Sequence, residues 1–227
     1  MQKKARGHYN KTYFDWQSSI GEFGGWANQS KFIEFISSDD DVLDFGCGGG
    51  FLLKQINCRK KIGIEINPSA IETALKNDVE VFQDADEIPD EHVDVIISNN
   101  ALEHTPRPLD ELEKLYRKLK FKGKIIIVVP CESVFNKYRS NDSNHHLYSW
   151  SPMCLANLLI EAGFSLIESK PYIHKWPPQF RWIAEYGGRR VFETACRIYG
   201  RIERSWFQVR AVGEKNELID NFFETHD

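Results

Sequence analysis

Val42-Leu43-Asp44-Phe45-Gly46-Cys47-Gly48-Gly49-Gly50 is an apolar run that closes on a carboxylate and opens into a glycine cluster, with Phe51-Leu52-Leu53 resuming behind it. Such a run before a glycine turn predicts a buried strand, and the leucine-containing stretch after it predicts a helix. Glycines at a strand-to-helix turn let the backbone take positive φ and let a ligand approach main-chain N–H groups with no Cβ in the way. The stretch therefore reads as a nucleotide-type pocket at the start of the fold. The dinucleotide fingerprint Gly-x-Gly-x-x-Gly, counted from Gly46 and Gly48, needs its third glycine where Phe51 stands, so a pyrophosphate fits this turn poorly.

Downstream, Lys61-Ile62-Gly63-Ile64-Glu65-Ile66 reads as a second strand whose Glu65 falls about 20 residues past the glycines, the place of a carboxylate that binds ribose hydroxyls. A third run, Val79-Glu80-Val81-Phe82, leads into Gln83-Asp84-Ala85, and a fourth, His92 to Ser98, into Asn99-Asn100-Ala101-Leu102-Glu103-His104. Further strands are predicted near 124–129, 165–171 and 205–213, and helices over 50–56, 68–76, 109–119 and 151–163. Asn67 before Pro68 supplies an N-cap with proline at the first helical position, and Gly123 is expected to stop the helix before the fifth strand. Strands alternating with helices predict an α/β fold with a mostly parallel sheet.

Asp44, Gly46, Gly48 and Gly50 fill all four positions of the acidic-x-Gly-x-Gly-x-Gly pattern. In this, and in the placement of Glu65, Asp84 and Asn99, the chain resembles the class I S-adenosylmethionine-dependent methyltransferases over roughly residues 40–170. The resemblance implies a doubly wound, Rossmann-like sheet of seven strands, mostly parallel, with the last strand antiparallel. It implies S-adenosylmethionine as cofactor and S-adenosylhomocysteine as product. It assigns Asp44, Gly46, Cys47, Gly48 and Gly50 to the cofactor turn, Glu65 and Ile66 to ribose, and Asp84 and Ala85 to the adenine amino group. Asn99 and Asn100 fall at the methionine end, with Tyr13 contributed from the leader. Leu102 to Pro108 and His146 to Pro152 look most like the small-molecule branch, which includes enzymes of sugars and polysaccharide precursors. The expected organisation is a helical leader or cap over 1–38 and a methyltransferase domain over 39–213. A helical insertion at 173–204, lid or dimer face, interrupts that domain, and an acidic, partly disordered tail at 214–227 follows it.

Methyl transfer needs alignment of donor and acceptor and exclusion of water, and a base becomes useful when the nucleophile is a hydroxyl that must lose its proton. Histidine titrates in the right range. His104 follows the fourth strand, and His145 and His146 lie in the loop after the fifth, both at the carboxyl ends of strands where ligands bind in such folds. These three are the catalytic candidates. Asp110, Asp142, Glu103 and the histidines show no recognisable ligand spacing, so no metal is expected. O-methylation of a sugar or polysaccharide precursor is the leading reading, with N-methylation of a small amine or amino sugar open beside it. Ser98-Asn99-Asn100-Ala101 lacks the Asn/Asp-Pro-Pro-aromatic tetrad of DNA amino methylation, and Cys131, after the fifth strand, reads as a strand-end thiol. An NAD-dependent oxidoreductase would use the same turn, but Phe51 and Asp84 argue against it. A non-catalytic, cofactor-binding partner subunit is a third reading, since fold does not fix function.

With 227 residues, 41% hydrophobic and 27% charged, the chain suits one large soluble domain, and a net charge of −4 argues against a nucleic-acid partner. Its five cysteines form no Cys-x-x-Cys pair, and no apolar stretch approaches a membrane span, so reduced thiols in the cytoplasm are expected. The insertion interleaves Arg181, Arg189, Arg190, Arg197, Arg201 and Arg204 with Trp176, Phe180, Trp182, Tyr186, Phe192 and Tyr199. This mixture suits an anionic or glycosidic acceptor, or equally a buried cap or homodimer face. Membrane-surface docking is the less favoured reading.

Overall fold

The alternation of apolar runs and helical stretches folds into a single sheet covered on both faces. The computed structural model describes residues 11–133, 135–140, 142 and 144–216, with side chains described from Ile20 onward. Helix α1 (Lys11–Asn28) and two short 3-10 turns precede β1 (Asp41–Phe45), α2 (Phe51–Gln55), β2 (Lys60–Ile64), α3 (Pro68–Lys76) and β3 (Glu80–Phe82). Then follow β4 (Val93–Asn99), α4 (Pro108–Lys118), β5 (Leu119–Glu132), α5 (Pro152–Glu161), β6 (Ser165–Tyr172), α6 (Phe180–Ile202) and β7 (Trp206–Glu214). The strand order is β3-β2-β1-β4-β5-β7-β6. β1 runs parallel to β2 and β4, while β7 lies antiparallel to both β5 and β6. The order reverses between β1 and β4, so the loops leaving these two strands flank a crevice at their carboxyl ends.

Successive strand residues point to opposite faces, and both faces here are apolar. Leu43, Ile96, Ile125 and Ile127 pack with Leu112, Leu115, Leu155 and Leu159 of α4 and α5. On the other face Val42, Ile97, Ile126 and Val128 pack with Phe32, Leu53 and Ala74. The caps follow the sequence: Asn67 Oδ1 accepts from Ser69 N at 3.0 Å ahead of Pro68, and Ser151 Oγ accepts from Cys154 N at 3.1 Å. Among the described residues no helix is long and apolar enough to cross a membrane.

Gly123 does not stop α4. That helix ends at Lys118, because Leu119 is already extended and pairs with Val93, after which the strand bulges and pairing resumes at Val95 with Lys124. A Cβ on Gly123 would lie 2.8 Å from the Lys120 carbonyl and 3.0 Å from that of Asp94, so glycine is required by backbone approach within the bulge. The tail expected over 214–227 starts inside β7 at Glu214, and from residue 217 it lies outside the described residues.

The insertion forms α6, bent at Gly188 (φ 68°), and it packs on α1. Phe192 and Cys196 are buried with Ala27 against Phe23, Trp26, Trp176 and Phe180. Arg189 lies 4.2 Å from the Trp26 ring centroid and donates to the Trp26 carbonyl at 2.9 Å. Part of the arginine and aromatic content thus holds leader and insertion together, while Trp182 and Tyr186 remain exposed. α1 in turn seats on α2, where a Cβ at Gly25 would overlap the backbone carbonyl of Phe51. Gly25→Val is accordingly expected to lift α1 from α2 and cost about 2–3 kcal/mol, read as a lowered midpoint in urea unfolding.

Candidate active site

The glycine turn does what its composition requires. Gly46, Gly48 and Gly50 take φ of 77°, 53° and 72°, the left-handed region open to glycine at little cost. A Cβ on Gly46 would overlap that of Ala101, which fixes the turn against the loop after β4, whereas a Cβ on Gly48 would meet nothing within 4 Å. Gly48 therefore presents bare backbone to open space. Glu65, just past β2, reaches back across this turn: its Oε2 accepts from Gly48 N at 2.9 Å, and its Oε1 from Ile66 N and Asn67 N at 2.8 Å each. Burial raises the Glu65 pKa while these three N–H groups oppose the rise. Cys47 is buried beneath the turn, and burial pushes its thiol well above the ordinary range. The Ile66 side chain is exposed.

Asp44 is 3% exposed, and burial, aided by the nearby Glu65 carboxylate, pushes its pKa up to about 8. In the folded chain it keeps a proton that the unfolded chain gives up above about pH 4. Its contribution to stability is present below that pH and is lost as pH rises toward 8. Asp44→Asn, which cannot ionise, is expected to stabilise the ligand-free protein by about 2 kcal/mol or more at pH 8 and to change it little at pH 4. Urea unfolding of both proteins at the two pH values measures this difference.

Asp84 caps a 3-10 turn by accepting from Asp86 N at 3.0 Å and pairs with Lys114 Nζ at 3.1 Å. The Asp86 N–H foremost, and then Lys114, holds its carboxyl below the ordinary range. Ala85 beside it is buried. At the end of β4, Asn99 Oδ1 accepts from Lys31 Nζ at 2.9 Å, and Asn100, at φ 55°, accepts from Gln208 Nε2 at 3.0 Å. Asn99 thus ends β4 and Asn100 follows it, directly before Ala101, the residue that abuts the glycine turn. The side chain of Tyr13 lies outside the described residues.

The three candidate histidines separate. His104 and His146 meet with ring centroids 5.0 Å apart, although β5 lies between them in the chain. His146 Nδ1 bonds Glu132 Oε1 at 2.5 Å, and its Nε2 faces Glu103 Oε1 at 4.0 Å. His104 Nε2 faces the same oxygen at 3.9 Å. His145, at φ 51°, is exposed and anchored through its backbone N–H on Asp142. Glu103 is 0% exposed, and burial raises its pKa to about 8 against the opposing field of Lys31. Lys31, itself buried, has its pKa lowered by burial to about 7, with Glu193 and Glu103 opposing.

A family model described as a methyltransferase domain matches residues 15–169. The chain belongs to the class I methyltransferase family. An uncharacterized methyltransferase of Schizosaccharomyces pombe, C70.08c, is 33% identical over 105 residues, 40% of this chain and 40% of that relative, so the match spans well under two thirds of its length. A SAM-dependent methyltransferase from Archaeoglobus fulgidus shares the fold with a TM-score of 0.65 at 22% identity, over 89% of this chain and 99% of that one. The phosphoethanolamine N-methyltransferase 2 of Haemonchus contortus, solved with S-adenosylhomocysteine, gives 0.60 at 14% identity over 90% and 60%.

The residues of the turn suit S-adenosylmethionine, the cofactor that membership of this family implies. Bare backbone at Gly48 gives close approach, Glu65 keeps one acceptor site on Oε2 beyond its three N–H partners for a ribose hydroxyl, and the buried Asp44 carboxyl would favour its ionised form if a cationic group lay near it. Bound, the cofactor supplies a methyl group on a sulfonium to an in-line nucleophile. Three residues of the cleft, Lys31, Gln208 and Glu132, escaped the sequence reading, and Glu103 entered it only as a metal ligand set aside for want of a recognisable spacing. Lys31, in the leader, and Gln208, in β7, carry no local pattern, and only the three-dimensional fold takes them to Asn99 and Asn100. Glu132 ends β5 and Glu103 precedes His104; the strand-end positions were the one available signal for either.

Proposed function

We propose that this methyltransferase acts on a small-molecule acceptor and transfers its methyl group to a hydroxyl, with a sugar or polysaccharide precursor as the first choice. The observation that carries the reading is His146, whose ring is fixed by Glu132 at 2.5 Å at the carboxyl end of β5. A carboxylate on Nδ1 selects the tautomer that leaves Nε2 as the reactive face, the arrangement that activates a weak nucleophile. Amines free of a proton need no such help, so a carboxylate-oriented imidazole favours oxygen over nitrogen. Asp44, Glu65 and Asp84 with the glycine turn hold the cofactor, Asn99 and Asn100 border its reacting end, and His104 and His146 face the acceptor. His145 stands outside the pair. Taken as a substrate cap, the packed pair of α1 and α6 would present its exposed Trp182 and Tyr186 as stacking faces for a glycosidic ligand. A cytoplasmic setting accords with five free cysteines.

Labelled methyl transfer from S-adenosylmethionine to nucleotide sugars, free glycosides, amino sugars and phosphoethanolamine tests the reading. The solved relative that acts on a phosphoethanolamine nitrogen motivates the last probe. Label in hydroxyl-bearing acceptors, stable to conditions that cleave esters, is expected. Transfer confined to the amines would replace oxygen by nitrogen as the nucleophile.

A further inference from the structure

Glu103, His104 and His146 place a carboxylate and two imidazoles at one point, with their nearest ligand atoms all within 4.8 Å of one another. Neither carboxylate oxygen of Glu103 accepts a hydrogen bond among the described residues, although the side chain is fully buried. A buried carboxylate without donors is costly, and such a group calls for a specific explanation. Lys31, whose field reaches it, spends its ammonium on Asn99 at 2.9 Å. Both imidazoles turn Nε2 toward the same Oε1, at 3.9 and 4.0 Å. That spacing is too long for a hydrogen bond. It is near the separation of two ligands on one metal: bonds of about 2.0–2.2 Å in tetrahedral directions set neighbouring ligand atoms about 3.4 Å apart, so the two edges to Glu103 close by about half an ångström each and the edge between the imidazoles, within 4.8 Å, by at most about 1.4 Å.

We propose that Glu103, His104 and His146 form a divalent transition-metal site. Two features beyond the triangle support it. Glu132 bonds the far nitrogen of His146, the outer carboxylate that orients and strengthens a metal-bound imidazole. His104 and His146 are partly exposed while Glu103 is not, which leaves an entry path on the imidazole side of a closed floor. The donor set of two imidazoles and one carboxylate selects zinc or its first-row neighbours over magnesium or calcium, and three protein ligands leave a position open. Sequence spacing conceals the set, because two ligands are adjacent and the third arrives only when β5 lays its following loop beside the 3-10 turn of Leu102–His104.

The consequence for turnover rests on the proposed hydroxyl acceptor; binding of the metal does not. With a metal bound, the Nε2 lone pair of His146 is spent on coordination and the ion takes over activation: an acceptor hydroxyl in the open position would be acidified, its proton passing to water before the oxygen attacks, whereas without metal Nε2 takes that proton itself. The test is a titration of chelator-treated protein with Co2+, followed by its visible absorption and displaced by Zn2+, with S-adenosylmethionine titrated into the same preparation. One Co2+ per chain is expected, with affinity lowered about tenfold or more in His104→Ala, His146→Ala and Glu103→Gln and kept in His145→Ala. The two histidine variants, at partly exposed positions, keep the test decisive if Glu103→Gln fails to fold. Protein that binds S-adenosylmethionine and no Co2+ overturns the metal site and leaves the methyltransferase reading standing. Co2+ binding that survives loss of both histidines overturns it as well. Metal bound without methyl transfer to any hydroxyl would overturn the acceptor reading and keep the site.

Discussion

His146→Ala is expected to lower methyl transfer by about 100-fold or more while S-adenosylmethionine affinity stays within about twofold of wild type. The split follows from position. His146 follows β5 and faces Glu103 and His104, whereas the groups assigned to the cofactor leave β1, β2, β3 and, with Asn99 and Asn100, β4, and among the described residues none of them hydrogen-bonds to His146. Removing the imidazole takes away the group that activates the acceptor and leaves the glycine turn, Glu65 and Asp84 untouched. Glu132→Gln keeps the shape and loses the charge that orients the ring through its 2.5 Å bond, so a smaller loss of turnover and an altered pH–rate profile are expected. Steady-state kinetics with a hydroxyl acceptor, paired with calorimetric cofactor titration, separate the two quantities. Equal turnover in wild type and His146→Ala would remove this histidine from the chemistry.

Glu65→Ala is expected to weaken S-adenosylmethionine binding by about 10- to 100-fold. Two losses add here. The carboxylate acceptor for a ribose hydroxyl disappears, and so do the acceptors for the N–H groups of Gly48, Ile66 and Asn67, which tie the glycine turn to the end of β2. Glu65→Gln keeps acceptor capacity in one oxygen and is expected to fall between the two. Far-ultraviolet circular dichroism should be unchanged in both, because the sheet packs through Ile62 and Ile64 and not through Glu65. An unchanged dissociation constant would place the ribose elsewhere.

Most of the fold was legible because its signals are local. Strands buried on both faces read as continuous apolar runs, Asn67-Pro68 and Ser151-Pro152 mark helix starts, and the glycine turn declares itself by three positive-φ positions in five residues. Gly123 misled because a glycine after a helical stretch looks the same whether it ends the helix or relieves a strand bulge; only the Asp94 carbonyl across the sheet distinguishes them. The residues proposed for the cofactor side were legible as strand ends for the same reason as the fold, and the structure sets Asp44, Glu65, Asp84 and Asn99 at or just past the ends of β1, β2, β3 and β4. The acceptor side was not. Lys31 reaches Asn99 across 68 positions, and Arg210 holds that segment in place through the Lys31 carbonyl at 3.1 Å and Glu34 at 2.6 Å, contacts that no spacing in the sequence encodes. The joining of His104 to His146, and their parting from His145, depends likewise on how the loop after β5 folds back.

The most direct measurement is isothermal titration of the purified chain with S-adenosylmethionine and NAD in parallel. The account predicts saturable one-to-one binding of S-adenosylmethionine, weakened in Glu65→Ala, and no binding of NAD, because Phe51 stands where a pyrophosphate turn needs glycine. Binding of NAD with none of S-adenosylmethionine would contradict it.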